Sequence, residues 1–299
     1  MSYKDTHGFA ERLLRSAKKH RMKVAIGIDQ PNPSIAKWLK AANKIADVTV
    51  VGKKIPGLKN IPLAEPQDIA DKMIELLDAK TVDALVRGQV HPRTLFLPLF
   101  ERMGMRMSYF NGKGQQSVCM VQNTKTKRFF VIATAELGQG YNLEQKKFEA
   151  LAMAKFLKSY GIAPYVGVMT MRRAKPKKAK SLPGFKQHPI IDETYKYAEI
   201  VTDYLRKQGI KADMFNIEYE TAINAGVNII LPPLGAIGNA FTRSLAFLSD
   251  TWEIVDMSTP HFKPLVVQHS FKTGTGKLFH NAIIAAAAEA VQKKYHFKA

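Results

Sequence analysis

The chain of 299 residues carries 45 Lys and Arg against 25 Asp and Glu, a formal net charge of +20, and is 46% apolar. That length suits a large core and two domains, and no apolar run reaches the roughly 18 to 20 residues that a membrane-spanning helix needs. A single cysteine, Cys119, excludes an internal disulfide and a zinc site built on several thiolates, and reads as an apolar filler.

The opening stretch MSYKDTHGFAERLLRSAKKH is basic but has no apolar signal core, and its acidic residues argue against a transit peptide. It reads as a mature intracellular start, which makes the expected location cytoplasmic. Next come KVAIGID (23–29), DVTVVG (47–52) and VDALVRG (82–88), short β-rich runs with the helical patterns PSIAKWLKAANKI and EPQDIADKMIELLDAK between them. QVHPRTLFLPLFERMG then reads as a loop and a helix. A second series follows: SVCMVQ, RFFVIATA, YVGVMTM, ADMFNIEY and VNIILPPL as strands. NLEQKKFEALAMAKFLKSYG and DETYKYAEIVTDYLRKQG read as helices stopped at Gly161 and Gly209. KPLVVQHS (263–270) is the final strand, followed by a glycine loop and a helix.

Strands alternating with helices predict an α/β protein with mainly parallel sheets and crossover helices. No Gly/Ser or Pro-rich linker divides the chain, so the halves are expected to interleave. If the last strand and helix return to the first sheet, the domains are 1–112 plus 262–299 and 113–261. The site is then expected in an interdomain cleft, beyond the carboxyl ends of the strands.

The positive charge makes anions the natural partners, with nucleic acid the first to weigh. The cations are scattered, and no helix-turn-helix, zinc finger or aromatic-interleaved RNA motif accompanies them, so nucleic acid is set aside. The densest run, MRRAKPKKAKSLPGFK (171–186), is interrupted by prolines and a glycine and reads as a plain exposed loop, against the alternative of a flexible lip steering a polyanionic ligand. A small anionic molecule is the favoured partner.

Candidate residues stand at the strand ends. After VDALVRG, Arg87, His91 and Arg93 lie close together, and Arg93 with Thr94 at a helix start makes an anion site or a capped helix beside solvated arginines. His91 is the acid–base candidate, against the plainer reading of a turn histidine making a hydrogen bond. After VNIILPPL, Gly235-Ala-Ile-Gly238 lacks the dinucleotide spacing, Asn239 is placed to cap the following helix, and Arg243 reaches an anion or water. Glu218 and Glu220 share a face if IEYETA is a strand, and salt bridges are preferred there to a metal. No metal site is expected.

Gly274-Thr-Gly-Lys277 resembles a nucleotide-binding loop without being one. Phe271 stands where the first glycine of a Walker loop belongs, and Leu278 replaces the Ser or Thr that would hold magnesium. What remains is a glycine turn with two lysines leading into a helix N-terminus, a setting that suits an anion.

Taken in order, VDALVRGQVHPRT, the segment from FFVIATA to YVGVMTM, NIEYETAINAGVNIILPPLGAIGNAFTRSLAFLS and KPLVVQHSFKTGTGKLFHNAIIAAAAEA resemble the phosphate acetyl/butyryl transferase family. The likeness is strongest to its divergent methanogen branch, called methyltransferase mtx subunit X or methanogenesis marker protein 4, and spans roughly residues 20 to 292. It implies the two-domain isocitrate/isopropylmalate dehydrogenase-like fold and a homodimer. In the family's Gly-x-x-His-x-Thr pattern Gly88 and His91 match, and Arg93 replaces the hydroxyl unless Thr94 substitutes for it; in Pro-Asp-Leu-x-Ala-Gly-Asn, Gly238 and Asn239 match and the Asp does not. The Ser-Arg-Gly loop that contacts acyl phosphate and coenzyme A falls on Phe271, Lys272 and Thr273, and the catalytic aspartate on Leu278.

These departures speak against standard acetyl transfer and leave the anion-binding residues in place. The expected function is group transfer on an anionic substrate or cofactor, coenzyme A or another polyanionic cofactor, with methyl transfer linked to methanogenesis implied by the branch. Lys272 and His91 are the catalytic candidates. Arg93, Thr94, Gly238, Asn239, Arg243, Thr273, Gly274, Thr275, Gly276 and Lys277 are the binding ones. The alternative is a non-catalytic ligand-binding or assembly protein working through a protein partner.

Overall fold

The computed structural model describes residues 8–102, 118–133, 140–173, 188–258, 267–268 and 276–296, with only the backbone of residues 100, 118, 258, 267, 268 and 296. The chain divides into two compact units, one of Gly8–Met107 with Glu253–Ala299 and one containing Ser108–Trp252. Each is an α/β structure built on a largely parallel sheet.

The first unit starts with helix α1 (Phe9–Lys19), then β1 (Lys23–Ile28), α2 (Pro33–Ala42) and β2 (Asp47–Gly52). In β1 and β2 one exposed residue is followed by five buried ones, the pattern of parallel strands covered on both faces. They pair in parallel from Lys23 with Asp47 to Ile28 with Gly52. Helix α2 begins where Asn32 accepts a hydrogen bond from Ile35 N at 2.9 Å, ahead of Pro33 at the first helical position. Beyond β2 lies β3 (Lys59–Pro62), a short edge strand missed in the sequence because KNIP holds a single strongly apolar residue and ends in proline. Helix α3 (Pro66–Asp78) sets Ile69, Met73, Ile74 and Leu77 into one cluster with Ala25, Val51 and Leu85 of the strands. Strand β4 (Ala84–Val86) pairs with the other side of β1, and α4 (Pro92–Arg102) adds Leu95, Phe96 and Leu99 to that cluster.

In the second unit β5 (Val118–Asn123) and β6 (Phe129–Ile132) form an antiparallel pair, with Cys119 buried. Helix α5 (Leu143–Ser159), β7 (Tyr165–Met169), α6 (Pro189–Lys207) and β8 (Lys211–Phe215) follow. Gly161 and Gly209, just past α5 and α6, hold the left-handed φ of 72° and 69° that stops these helices. The strand expected over ADMFNIEY ends at Phe215: Tyr219–Asn224 form the short helix α7, so Glu218 and Glu220 share no strand face. Neither carboxylate makes the expected salt bridge with a described residue. The helical turn reverses the chain toward β9 (Ile229–Leu231), and Tyr219 packs on Phe241 at 4.7 Å between centroids. Helix α8 (Gly235–Leu248) comes next, and the sheet order is β5-β6-β9-β7-β8, with β6, β9, β7 and β8 parallel.

The chain then returns to the first unit through β10 (Trp252–Ser258) and β11 (Val267–Gln268). Strand β11 pairs in parallel with β4 and antiparallel with β10, which gives the order β3-β2-β1-β4-β11-β10. Strand β10 was missed because Glu253 and Asp256 break its apolar run; Asp256 is buried. The last helix, α9 (Gly276–Val291), packs against α1, α2, β1, β4 and β11. Burial on all sides is why AIIAAAAEAV is mostly alanine and apolar except for the buried Glu289. Among the described residues no helix is long and apolar enough to cross a membrane.

Helix α9 starts in backbone contact with α2. A Cβ on Gly276 would stand 2.4 Å from Ser34 O and 2.8 Å from Trp38 Cδ1. Gly276→Ala is expected to destabilise the protein by about 1–3 kcal/mol in denaturant unfolding, because the obstacle is backbone that cannot rotate away.

Candidate functional site

From β1 the chain turns to β2 on one side of the sheet, while β4 lies on the other side of β1. Open α/β sheets hold ligands at such a reversal, beyond the strands' carboxyl ends. Two loops meet there, residues 29–32 after β1 and residues 87–91 after β4. Gly88 has φ 61°, and a Cβ on it would stand 2.0 Å from Gly27 O, so only glycine lets the second loop lie against β1. Gln89 fastens the loops together: its Oε1 accepts from Asp29 N at 3.1 Å and Gln30 N at 2.8 Å, and its Nε2 donates to Gln30 O at 3.1 Å. Arg87 is buried, and its Nη1 donates to Val90 O at 2.5 Å, which closes the turn from within.

His91 O accepts from Thr94 N at 3.1 Å and from Leu95 N at 3.3 Å, so His91 stands just before the first turn of α4. Thr94 lies inside that turn and is not the cap that the sequence allowed. His91 and Arg93 are exposed and Thr94 half-buried, all three on one helix start beside the reversal. An arginine fork beside the positive end of a helix dipole suits an anionic group.

No described contact joins the other expected site residues to His91, Arg93 or Thr94. Gly276 begins α9, where its missing side chain admits α2, and Lys277 pairs with Glu253 at 2.5 Å. Lys272, Thr273, Gly274 and Thr275 lie outside the described residues. Gly238, Asn239 and Arg243 belong to α8 in the second unit. Asn239 is not the N-cap: Leu234 in extended backbone precedes the helix, which starts at Gly235 directly after Pro232-Pro233-Leu234. Arg243 lies with its guanidinium 5.5 Å from the Phe247 ring centroid. Among the described residues no group of three or more His, Cys, Asp or Glu is placed to hold a metal ion.

Two residues escaped the sequence reading. Lys146 in α5 is buried, donating to Pro232 O at 3.3 Å and more closely to Pro233 O, at the carboxyl end of β9. Burial lowers its ammonium to about 8, opposed by the nearby Glu149 carboxylate. The sequence held a signal: Lys146 lies on one stripe with the buried Ala150, Met153 and Leu157 at helical spacing. His280, one turn into α9, is the second. Burial is the main cause that holds it below the ordinary imidazole value. Nothing in the sequence separates it from a core histidine.

No protein-family model matches the sequence, and no curated protein matches it. Solved structures do resemble it. A branched-chain phosphotransacylase from Enterococcus faecalis V583 aligns with a TM-score of 0.65 at 13% identity, over 90% of this chain and 99% of its own. A phosphotransacetylase from Streptococcus pyogenes gives 0.61 at 14% identity, over 98% and 100%. The 4-hydroxythreonine-4-phosphate dehydrogenase from Klebsiella pneumoniae gives 0.53 at 10% identity, over 90% and 98%. The chain therefore shares the Rossmann-type α/β fold of phosphotransacylases and of this dehydrogenase.

Two outcomes follow from this geometry. Gln89→Leu leaves the Asp29 and Gln30 N–H groups without their acceptor, and is expected to cost about 1–3 kcal/mol and to speed hydrogen exchange at those two amides. For Lys146, the unfolded chain holds its proton up to the ordinary lysine value of 10.5, while the folded chain releases it near 8. Between these the unfolded state binds more protons, so this group makes stability rise with pH, by at most about 1.4 kcal/mol per unit. Denaturant unfolding of Lys146→Met at pH values across that window should lack the rise.

Proposed function

We propose that this chain is a group-transfer enzyme of the phosphate acyltransferase-like kind, acting on an anionic substrate or cofactor. The observation that carries the reading is the exposed His91–Arg93 turn at the head of α4, fixed at the strand-order reversal by Gly88 and Gln89. The fold shared nearly end to end with solved phosphotransacylases supports it. Arg93 and Lys272 hold the anionic group, aided by Thr94, Thr273 and the backbone N–H groups of Gly274, Thr275 and Gly276. Gly238, Asn239 and Arg243 form a second set of contacts, and His91 serves as the acid–base group. Lys277, held by Glu253, contributes charge more than direct contact.

The absence of a carboxylate at Leu278 argues for a transferred group other than acetyl. Methyl transfer linked to methanogenesis is the finer form of the proposal and rests on the sequence resemblance alone. The same resemblance supplies coenzyme A or another polyanionic cofactor, the isocitrate/isopropylmalate dehydrogenase-like arrangement of two domains, a homodimer, and a cytoplasmic setting.

Thermal-shift titration with phosphate, acetyl phosphate, coenzyme A and coenzyme M tests the binding half. A ligand at 100 times its Kd stabilises the native state by about 2.7 kcal/mol. Arg93→Ala and Lys272→Ala are each expected to weaken that ligand about tenfold or more, and Arg93→Lys to restore only part, since lysine lacks the planar fork. Transfer assays with the ligand so found test the chemistry. Binding without turnover by the purified chain would favour the partner-dependent reading, and unchanged affinity in both alanine variants would remove the site.

A further inference from the structure

The first unit holds a half-open cavity of about 160 Å³ between α1, β10 and α9. Leu13, Val255 and Ile284 give it apolar walls, and Glu11, Glu253 and His280 bring the ionisable groups. An apolar cavity of about 150 Å³ takes a molecule the size of benzene, so this one admits about five or six non-hydrogen atoms.

The histidine is held in one orientation. Asn281 Nδ2 donates to Ile254 O at 2.9 Å, which turns Asn281 Oδ1 toward the ring, 3.3 Å from His280 Nδ1. An acceptor there calls for the proton on Nδ1 and leaves the Nε2 lone pair free to accept. Trp38 meets the imidazole edge-on with centroids 5.3 Å apart, packing the ring from α2. Burial favours the neutral imidazole, opposed by the Asn281 hydrogen bond; Lys277 adds to the lowering, and Glu253 works against it. The charged groups that bear on this ring are Glu253 from β10 and Lys277 from α9 itself, while Glu11 from α1 lines the same pocket.

This chemistry selects a ligand. Glu253 is already paired with Lys277, the Glu11 carboxylate disfavours an anion, the desolvation that shifts His280 toward the neutral form disfavours a cation, and Nε2 offers an acceptor to a donor. We propose that the cavity binds a small neutral alcohol or thiol with an aliphatic chain of about four or five carbons. Its chain lies on Leu13, Val255 and Ile284, and its O–H or S–H donates to His280 Nε2. The inference rests on the first unit alone and does not depend on the transfer reading.

Imidazole NMR of the full chain, titrated with 1-butanol and then 1-butanethiol, tests it. The His280 Nε2 signal is expected to shift saturably, with nuclear Overhauser contacts from the butyl chain to the Val255 and Ile284 methyl groups. Ala10→Met, at the cavity wall, should abolish both while His280 keeps its Nδ1–H form. Below the His280 pKa the affinity should fall about tenfold per pH unit, because the imidazolium has no acceptor. A linear shift that persists in Ala10→Met, no contacts to those methyl groups in the wild type, or a free protein with the proton on Nε2 would each overturn the proposal. If Ala10→Met fails to fold, the wild-type contacts and tautomer decide the matter.

Discussion

The structure of the first unit depends on the burial of α9. This helix, formed near the end of the chain, lies against α1, α2 and three strands of a sheet begun more than 200 residues earlier. So deep a seat needs small side chains along the helix and, where it enters, no side chain at all: Gly276 lets its backbone reach Ser34. The glycine that the sequence offered as part of an anion loop therefore has a packing duty of its own. The same seat fixes Lys277 beside Glu253 and His280 beside Trp38, so the start of α9 is a constrained structure.

A comparable economy governs the strand-order reversal. Gly88 brings the β4–α4 loop against β1 because a side chain would strike Gly27 O, and Gln89 satisfies three backbone groups of the neighbouring loop. Buried Arg87 secures the turn from beneath through Val90 O. With these inner residues occupied in structure, His91 and Arg93 stay exposed at the head of α4. The division is physical: buried polar groups serve the backbone, and exposed ones at a helix start meet solvent or an anion.

Lys146 and His280 show two ways in which burial alters chemistry. Lys146 remains a hydrogen-bond donor to backbone carbonyls, its proton loosened by desolvation while the nearby Glu149 carboxylate helps to retain it. His280 is shifted toward the neutral form by burial, and its tautomer is defined by an asparagine that is itself committed to the backbone. Neither state could be assigned from residue type, since a lysine on a helix and a lone histidine are ordinary surface and core residues in most settings.

By itself the sequence determined the elements whose periodicity is strong: the apolar runs of β1 and β2, the helices stopped at Gly161 and Gly209, and the small-residue helix at the end. Local rules suffice for these, because strand and helix patterns and left-handed glycines act over a few residues. It misjudged IEYETA and the start of α8, and it passed over β3 and β10, where short length or acidic residues blur the pattern. Only the tertiary structure decided that Gly276 faces α2, that Asn239 lies inside a helix, that Lys277 is paired, that Lys146 is buried and that His280 is half-buried beside Trp38. Each of those facts depends on neighbours distant in the chain, and burial, charge state and contact are properties of the neighbourhood that no local spacing encodes.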